Sequence, residues 1–573
     1  MSKINKIVAL GQLNPIPLDV DNNLINIEKL VQLAVREGSR LLILPRNALI
    51  GQIDKDLYGI MALEELISGA IAKLSVSLPG DITVLIANDK PHLNTTSYFL
   101  ITTNNIISLQ DGDAFHLGDY TFFLNAENIH KPLHYNIILE NLFYAGDGSI
   151  ALYIADLQLK SRNVVFLSAH GVSDGQFIYT GLAFISTGGH FDSFGTLFSY
   201  RSYKLVTDCV DTIVFNNSDR SGFLNTISAL AFGLWDYMIK SKSKGYVVSV
   251  SGGADSSLCA ILVTASQLYA LDELGYDDFD KALQSVGIDI SGSHEGTHAG
   301  YIKSRVMPRV LTTVYQNSDN SSDATFKGAN SLAEALGSEH HNLAIGPLVE
   351  DYTRIINETM QHPLNWDRHD LTLQNIQARA RAPSVWMFAN KDTKILIATA
   401  NLSEITVGYC TMDGDTVGCI APIGGLFKTK VLSINRFLES NGLVSAEDGS
   451  RISLAAALSK INSFPPTAEL RPGGSQTDEA DLMPYKELDH IAQAFFSGTL
   501  EQVLGEEKDM ARRQHLFDCT KKVLRLYCSS QWKRYRFARS FFVNTYTNPP
   551  VVPVVSDRLS CYLGYLKNQL HVK

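Results

Sequence analysis

The sequence predicts an α/β protein of two domains, and two observations support this prediction. Several apolar, strand-like runs and one clear amphipathic helix occur in the first 215 residues. After a polar segment, a second succession of strand, turn and helix begins near residue 246. The chain has 573 residues, of which 45% are apolar, and this is enough for two or more domains that each bury a core.

The N-terminal half shows one clear helix among several strands. In the stretch 23–38, apolar residues recur at helical spacing and form one face. Strands are predicted at 6–10, 40–45, 83–87, 164–168 and 182–186. The polar, turn-rich segment 216–225 is the predicted linker, so the predicted domains are 1–215 and 226–573.

Charge and cysteine content restrict the class of protein. A net charge of −10 without a basic block argues against nucleic-acid binding. The chain begins without a signal-peptide pattern, and no apolar run is expected to reach the length that crosses a bilayer. Seven cysteines at scattered positions are typical of reduced thiols. These features predict a cytoplasmic protein that contacts neither nucleic acid nor membrane.

The most informative segment is SGGADSS, at 251–257. It follows an apolar run typical of a buried strand and precedes an apolar helical stretch. This order directs free backbone N–H groups and the positive end of a helix towards one point, where an anion binds. Glycine allows close approach and serine adds donors, while Asp255 beside a phosphate implies a divalent cation between them. An ordinary turn between strand and helix is the alternative interpretation.

This loop is not a Walker A motif, because GxxxxGK[ST] occurs nowhere in the chain. It resembles the SGGxDS loop of the ATP pyrophosphatase family. The resemblance implies binding of the pyrophosphate of ATP and cleavage between the α- and β-phosphates. It also implies transfer of AMP to an acceptor oxygen, followed by attack of a nucleophile on the AMP ester.

Two downstream segments place polar side chains where a ligand could bind. In the stretch 372–381, Gln374, Gln377 and Arg381 lie three and four residues apart and share a helix face, which is either solvated or holds an anion. A predicted strand at 395–398 ends just before Thr399. Because ligands of open α/β sheets lie at the carboxyl ends of strands, Glu404 in the following loop complements Asp255 as an oxygen ligand for a hard cation.

Three more motifs follow in a fixed order: PPTAEL at 465–470, QTDEADLMPY at 476–485 and QWKRYRFA at 531–538. Together with the loop at 251–257, they make residues 224–540 closely resemble NAD synthetase. The resemblance implies a ligase that uses ATP and Mg²⁺ to adenylate the nicotinate carboxylate of deamido-NAD. Ammonia would then displace AMP and form NAD.

The same resemblance assigns roles to individual residues. Asp255, Glu404 and Lys428 would form the catalytic set, with the two carboxylates holding Mg²⁺. The residues that would bind ATP are Ser251, Gly252, Gly253, Asp255, Ser256, Ser257, Thr399, Lys428 and Thr467. The residues that would face the dinucleotide are Asn375, Arg379 and Lys533. Leu402 departs from the basic or polar residue of relatives, although the spacing from Thr399 to Glu404 is kept.

The N-terminal half resembles in outline the glutaminase domain of long NAD synthetases, a nitrilase-like αββα sandwich with a Glu-Lys-Cys triad. The stretches 8–45 and 175–195 carry this resemblance. The triad does not match. Arg46 stands where the glutamate is expected, no lysine occurs in the stretch 111–119, and Leu139 stands where the cysteine is expected.

The first cysteine of the chain is Cys209, in a predicted terminal strand. A leucine cannot form the covalent intermediate that a thiolate forms with glutamine. The sequence therefore predicts an inactive glutaminase domain that is kept as a scaffold. The alternative is that a serine or another base carries out the amidase reaction. It predicts a synthetase that uses free ammonia or ammonia from a separate glutaminase. Relatives are oligomers, so a homodimer or a larger homo-oligomer is expected.

Other interpretations compete with this one. The stretch 294–298 matches the HExxH zinc signature, but its glycine-rich and serine-rich flanks predict a surface loop and no zinc helix. Cys410 and Cys419 flank a glycine-rich loop without the spacing of a metal knuckle. Another ATP pyrophosphatase, such as a GMP synthetase or a tRNA-modifying ligase, would not explain all the motifs above. A binding or regulatory protein without activity is the alternative from a different class.

Overall fold

The computed structural model describes residues 4–53, 57, 63–90, 95–146, 148–172, 175–208, 219–290, 292, 294, 296–318, 320–360, 362–472, 476–544, 558–570 and 572. The chain forms two compact units, Met1–Lys240 and Ser241–Lys573. The fold class predicted from the sequence is confirmed for both: an αββα sandwich in the first unit and a parallel sheet with helices in the second.

The first unit contains two six-stranded mixed sheets. The strands of one are β1 (Val8–Leu13), β2 (Leu41–Arg46), β3 (Thr83–Lys90), β4 (Thr95–Thr102), β5 (Asn105–Leu109) and β14 (Tyr203–Val206), in the order β14-β1-β2-β3-β4-β5. The strands of the other are β6 (Ala114–Leu117), β7 (Tyr120–Leu124), β8 (His134–Glu140), β9 (Asn163–Ser168), β12 (Ala183–Thr187) and β13 (His190–Phe194), in the order β13-β12-β9-β8-β7-β6. The two central groups, β1 to β3 and β7 to β9, are parallel. A separate ribbon is formed by β10 (His170–Gly171) and β11 (Tyr179–Thr180).

An apolar core lies between these two sheets. Leu10 and Ile43 from one sheet join Ile137, Leu139 and Leu167 from the other in one buried cluster. The outer face of the first sheet is covered by α1 (Val20–Arg36) and α2 (Leu63–Ser77), which contribute to a second cluster. The helix α3 (Ser149–Lys160) packs on β9 in the other sheet. Each helix therefore buries one apolar face on a sheet, as the predicted helix at 23–38 required.

The helix α4 (Asp219–Lys240) belongs to the first unit. Its Asp236 carboxylate accepts hydrogen bonds from Asn14 Nδ2 at 2.7 Å and from the Val172 amide at 2.6 Å. Lys240 Nζ lies 2.8 Å from Asp236 Oδ2 and donates to the Asn14 side chain. The boundary between the two units therefore follows this helix. The linker predicted from the sequence, 216–225, lies before most of the helix. Residues 209–218, including Cys209, lie outside the described part of the chain.

The second unit contains a six-stranded parallel sheet. Its strands are β15 (Tyr246–Ser249), β16 (Leu311–Asn317), β17 (Glu339–Ala344), β18 (Ile395–Ile397), β19 (Ile420–Ala421) and β22 (Arg539–Ser540), in the order β17-β16-β15-β18-β19-β22. The chain thus starts in the middle, builds one side of the sheet, and returns to build the other. A short ribbon of β20 (Leu443–Val444) and β21 (Arg451–Ile452) lies apart.

The helices of this unit connect and cover the strands. They are α5 (Ala254–Ser285), α6 (His298–Tyr301), α7 (Met307–Val310), α8 (Asp323–Leu336), α9 (Gly346–Thr359), α10 (Trp366–Asp392), α11 (Leu402–Val407), α12 (Lys428–Asn441), α13 (Ala455–Asn462), α14 (Asp478–Asp481), α15 (Tyr485–Phe496), α16 (Leu500–Glu506), α17 (Met510–Ser529), α18 (Gln531–Arg534) and α19 (Arg558–Leu570). The last helices, from α15 to α17 with α19, enclose a separate apolar cluster.

One helix in the described part of the chain, α5, is long and apolar enough to cross a membrane by length and composition alone. From the sequence, no apolar segment of that length was expected. Of the apolar stretch that passes this test, 83% is buried in the protein. Core helices meet the same criteria, and α5 packs against β15 and β16 of the parallel sheet. Its apolar character is therefore explained by burial in the core.

The attachment of α4 leads to a prediction for stability. Replacing Asp236 by alanine leaves Lys240, whose side chain is only 12% exposed, without its carboxylate partner. We expect the free energy of unfolding of the first unit to fall by about 3–5 kcal/mol, because a charge in a buried pair loses its compensation. Urea unfolding monitored by circular dichroism measures this change.

The control for this prediction is Asp156→Ala. Asp156 and Lys160 form an ion pair with the same spacing and the same 2.8 Å distance, but more than half of each side chain is exposed. The loss of this exposed pair should lower the free energy of unfolding far less than the loss of the buried pair does. Equal effects of the two substitutions would contradict the proposed role of burial.

Candidate functional site

The candidate site lies at the carboxyl ends of β15 and β18. The order of strands reverses between these two neighbours, since β15 leads to β16 on one side and β18 leads to β19 on the other. Such a switch point opens a crevice at which open α/β sheets bind ligands. A cavity of about 250 Å³ occupies this position. The loop after β15 and the loop after β18 both line it.

The loop after β15 needs glycine at one position. Gly252 has a φ of +79°, and a Cβ atom built on it would lie 2.3 Å from the carbonyl oxygen of Thr325. Gly253 has an ordinary φ of −93° and is the N-cap of α5. No side chain accepts a hydrogen bond at this N-cap, so the first N–H groups of α5 are not capped from within the helix. Serine hydroxyls shape the same turn, with Ser251 Oγ 3.2 Å from Ser256 Oγ.

A buried charge cluster stands beside this loop. Lys428 Nζ, at the start of α12, lies 2.5 Å from Asp255 Oδ2 and 3.2 Å from Glu404 Oε1. The Lys428 side chain is 4% exposed. Burial disfavours its ammonium form, but the two carboxylates outweigh this effect, so the pKa of Lys428 is raised above its ordinary value. One cation therefore joins α5, α11 and α12.

The loop after β18 holds its glutamate in place through a capping box. The Asn401 side chain accepts a hydrogen bond from the Glu404 amide at 3.1 Å, and the Glu404 side chain accepts one from the Asn401 amide. Asn401 Nδ2 also donates to Asp255 Oδ1 at 2.9 Å. Leu402 is buried at the start of α11, and its amide donates to the carbonyl of Leu426. Leu402, which departs from the basic or polar residue of relatives, therefore packs in the protein interior.

A third carboxylate that was not assigned from the sequence also lines the cavity. Asp478 is 5% exposed and accepts a hydrogen bond from the Tyr485 hydroxyl at 3.0 Å. Burial raises the pKa of Asp478, and burial together with Asp255 and Asp478 raises the pKa of Glu404 to about 8. Lys428 opposes the shift at both carboxylates. The site thus carries more negative charge than its single lysine neutralises. The QTDEADLMPY motif contains Asp478, but nothing in its spacing marked this residue.

Most of the ATP residues predicted from the sequence line this one cavity. They are Ser251, Gly252, Gly253, Asp255, Ser256, Thr399, Lys428 and Thr467, and Glu404 lines it with them. Ser257 does not line it, because its hydroxyl donates to the Gly253 carbonyl at 2.7 Å. Arg381, one of the polar residues that the sequence placed on a possible anion-binding helix face, also lines the cavity. Lining residues that were not assigned include Val385, Leu396 and Phe464. The structure therefore brings together two motifs that are about 150 residues apart in the chain.

The three residues predicted to face the dinucleotide lie outside this lining. Thr411 donates to Asn375 Oδ1 at 2.7 Å, and Arg379 Nε donates to the Met412 carbonyl at 3.0 Å. Lys533 Nζ donates to the carbonyls of Gly408 and Cys410, both at 2.7 Å. All three contact the loop that follows α11. Their shared target is a feature that the sequence did not indicate.

The two histidines of the HExxH match separate in the structure. His294 contacts Asp280 at 2.8 Å, while His298 contacts Asp272 at 2.7 Å and begins the short helix α6. Glu295 lies outside the described residues. His298 is 8% exposed, so the prediction of a surface loop was wrong at this residue. Cys410 and Cys419 are free thiols.

In the first unit, the positions compared with a glutaminase triad have other contacts. Arg46 pairs with Asp89 at 3.5 Å at the end of β2. Leu139 is 1% exposed and belongs to the apolar core between the sheets. In the stretch 111–119, Asp111 accepts a hydrogen bond from the Tyr98 hydroxyl at 2.8 Å.

Comparison with known proteins agrees with this geometry. Residues 277–536 match the family described as NAD synthase. The matched stretch lies within the second unit. The glutamine-dependent NAD(+) synthetase of Aquifex aeolicus is 30% identical over 307 residues, which are 54% of this chain and 43% of that protein. The chain therefore matches less than half the length of such curated relatives.

Two solved structures extend the likeness beyond the NAD synthase domain. The crystal structure of a glutamine-dependent NAD(+) synthetase from Cytophaga hutchinsonii has a TM-score of 0.80 at 26% identity, and the match covers 98% of this chain and 99% of that chain. A glutamine-dependent NAD+ synthetase from Acinetobacter baumannii, solved in complex with adenosine diphosphate, has a TM-score of 0.61 at 18% identity over 96% of this chain and 97% of that chain. The second of these shares the fold. The likeness of the first spans both units, so the long form with a nitrilase-like domain is supported.

The turn at Gly252 leads to a prediction for the stability of the second unit. Gly252→Ala places a Cβ against the Thr325 carbonyl and requires alanine to adopt a positive φ. We expect a loss of about 1–3 kcal/mol of folding free energy, because non-glycine residues are strained in this region. Thermal unfolding measures it. Gly253→Ala is the control, because the added Cβ would meet only Ser251 Oγ, at 3.3 Å, and the φ of Gly253 is ordinary. Equal destabilisation by the two substitutions would contradict the backbone strain assigned to Gly252→Ala.

The raised pKa of Glu404 leads to a prediction for pH dependence. The folded protein holds this proton up to about pH 8, whereas an ordinary glutamate releases it near 4.5. Between these values the folded state binds more protons than the unfolded state, so the free energy of unfolding must fall as pH rises. We expect a slope of up to about 1.4 kcal/mol per pH unit from this group.

Glu404→Gln removes that proton and should flatten the dependence between pH 5 and 8. The comparison requires unfolding curves in EDTA for the wild type and the variant at each pH. Taking the difference between the two proteins cancels the carboxylates that do not interact with Glu404 and isolates the titration of the cluster to which Glu404 belongs. Parallel curves for the two proteins would contradict the assigned shift.

Proposed function

We propose that this chain forms NAD from deamido-NAD and ATP through an adenylate, with release of AMP and pyrophosphate, and that it takes its nitrogen from ammonia. The observation that carries the proposal is the cluster of Asp255, Lys428 and Glu404 in the same cavity as the glycine-rich loop. The match of 277–536 to the NAD synthase family supports the choice of acceptor.

The cavity suits ATP in two parts. The N–H groups at the start of α5 and the hydroxyls of Ser251 and Ser256 offer donors to a pyrophosphate. Val385 and Leu396 form an apolar wall that suits a nucleobase. Thr399 and Thr467 also line the space and offer hydroxyls. ATP bound in this way would have its α-phosphate near the charge cluster.

The donor set fits Mg²⁺. Asp255 and Glu404, with Asp478 nearby, supply the hard carboxylate oxygens that this ion binds. Burial, and after it the charges of Asp255 and Asp478, raise the pKa of Glu404, and a divalent cation would offset both effects. When bound by Asp255 and Glu404, Mg²⁺ would neutralise phosphate charge.

Lys428 has the central role on the protein side. Its ammonium group contacts both Asp255 and Glu404 and so holds them together. In the reaction it would stabilise the negative charge that develops on the α-phosphate oxygens. Its position is fixed from the backbone, since the Lys428 amide donates to Ser403 Oγ at 2.8 Å and the Thr429 amide donates to Asp489 at 2.9 Å. A preorganised cation of this kind needs little rearrangement when charge moves.

The dinucleotide would be positioned through the loop after α11. This loop is contacted by Asn375, Arg379 and Lys533. These residues would position the acceptor indirectly, by fixing the loop backbone, and directly, through their exposed atoms. Attack of the nicotinate carboxylate on the α-phosphorus would release pyrophosphate. Attack of ammonia on the resulting mixed anhydride would release AMP.

Ammonia is the proposed nitrogen source because no cysteine stands at the position compared with the glutaminase nucleophile. Leu139 occupies the position compared with the cysteine, and no cysteine precedes Cys209 in the sequence. Arg46 replaces a base with a cation that pairs with Asp89. The curated relatives are described as glutamine-dependent, so this chain would differ from them in its nitrogen donor. Free ammonia or a separate glutaminase would supply it, and a cytoplasmic location would suit either source.

A homodimer or larger homo-oligomer is also proposed. The helix α9 buries none of its residues, and four apolar side chains on it are at least 42% exposed: Leu348, Tyr352, Ile355 and Ile356. An apolar helix face of this kind is typical of a surface that a second copy covers. Sedimentation velocity of the purified chain measures the state directly.

The test of the proposed function is NAD formation by the purified protein from deamido-NAD, ATP and Mg²⁺, with ammonium chloride or glutamine as the only nitrogen source. We expect NAD with ammonium and none above background with glutamine. Lys428→Met should lower the rate by at least about 100-fold, because charge stabilisation is lost. Arg436→Met, exposed on the same helix, is the matched control.

The outcomes separate the two parts of the proposal. Activity with both donors would show an active glutaminase and contradict the assignment of Arg46 and Leu139, while the synthetase reaction would stand. Absence of activity with both donors would contradict the synthetase and favour a binding or regulatory protein.

A further inference from the structure

Three potential metal ligands converge on the helical part of the second unit, on side chains that the cavity described above does not use. Glu487 lies on α15, and His515 and Cys519 lie on α17. The two residues on α17 are four apart, so their side chains share one face of the helix. In the described part of the chain, this is the one group of His, Cys, Asp or Glu residues whose ligand atoms all lie within 4.8 Å of one another.

The distances between the three ligand atoms match the edges of a tetrahedron around zinc. His515 Nε2 lies 3.0 Å from Glu487 Oε2 and 3.6 Å from Cys519 Sγ, and Cys519 Sγ lies 3.7 Å from Glu487 Oε2. Zinc bonds of about 2.3 Å to sulfur and about 2.0–2.2 Å to nitrogen or oxygen give edges of about 3.4–3.6 Å in a tetrahedron. A small opening of the histidine–glutamate contact would therefore complete the geometry.

The surroundings favour a site open on one side. Arg512 donates to the other carboxylate oxygen, Glu487 Oε1, at 2.8 Å and so directs Oε2 towards His515 and Cys519. The His515 side chain is 52% exposed, whereas that of Glu487 is 14% exposed. A cation could thus enter from solvent, and water could take the fourth position. An ion pair alone would explain Glu487, His515 and Arg512, but it would not require a thiol within 3.7 Å of both ligands.

We propose that Glu487, His515 and Cys519 form a binding site for Zn²⁺ or a similar soft divalent cation. On binding, the Cys519 thiol loses its proton to the buffer and the thiolate bonds the ion, while neutral His515 and ionised Glu487 supply the other two bonds. The site joins α15 to α17. On its other side α15 carries Asp489, which accepts hydrogen bonds from Ser403 Oγ and the Thr429 amide next to Lys428.

The cation would therefore fix the helix that supports the lysine of the proposed active site. The inference does not depend on the proposed reaction, because it rests on three side chains that do not line the cavity. It also differs from the proposed Mg²⁺ site in its chemistry. A thiolate and an imidazole select zinc-like ions, whereas carboxylates alone select magnesium.

The test uses the full-length protein, freed of metal with EDTA and titrated with Co²⁺ and then Zn²⁺. We expect a thiolate-to-cobalt charge-transfer absorption that reaches its plateau at one Co²⁺ per chain and disappears when Zn²⁺ displaces the ion. Zinc should also raise the temperature of thermal unfolding. Cys519→Ser and His515→Ala should abolish the absorption and lower the affinity for zinc by at least about 100-fold.

Two matched controls should leave binding unchanged. Cys528→Ser removes another half-buried thiol from α17, and His490→Ala removes an exposed histidine from α15. Because His515 is exposed, we expect His515→Ala to fold like the wild type, and circular dichroism checks this. The proposal is overturned if the wild type binds neither ion, or if the absorption persists in Cys519→Ser and His515→Ala.

Discussion

The second unit depends on one buried cation. The Lys428 ammonium group contacts carboxylates from two other elements, Asp255 at the start of α5 and Glu404 in α11, and it does so at a position that is nearly closed to solvent. Without it, Asp255, Glu404 and the nearby Asp478 would be buried together without this compensating positive charge, which is strongly unfavourable. Its presence allows the glycine-rich loop and the loop after β18 to approach each other.

The sheet explains why these residues meet. The strand order places β15 and β18 side by side although their first residues, Tyr246 and Ile395, are 149 positions apart in the chain. Each strand ends in a helix whose N-terminus points at the same crevice. The N-terminus of α11 is satisfied by its own capping box, whereas that of α5 has no side-chain cap and is open to an anion. This difference supports the proposal that phosphate binds at the N-terminus of α5 rather than at that of α11.

The first unit shows the opposite relation between fold and site. Its αββα arrangement is complete, with Leu139 in the core between the sheets and helices on the outer faces. Apolar packing of this kind does not need a nucleophile. A leucine at the end of β8 strengthens the core at the position where a thiol would have to stay accessible. The sandwich can thus persist as a folded body whatever chemistry it performs, and the buried pair of Asp236 and Lys240 ties α4 to it.

The sequence by itself determined the local structure and the chemical type of the site. Strands at 40–45 and 164–168, the helix at 23–38 and the loop at 251–257 all occur within a few residues of their predicted bounds, because apolar periodicity and glycine placement act over short distances. Tertiary structure decided which distant residues meet. Asp478 enters the site, Asn375 and Lys533 contact a shared loop, and α4 joins the first unit. These outcomes follow from strand order and burial, which bring together residues far apart in the chain and which no local spacing can encode.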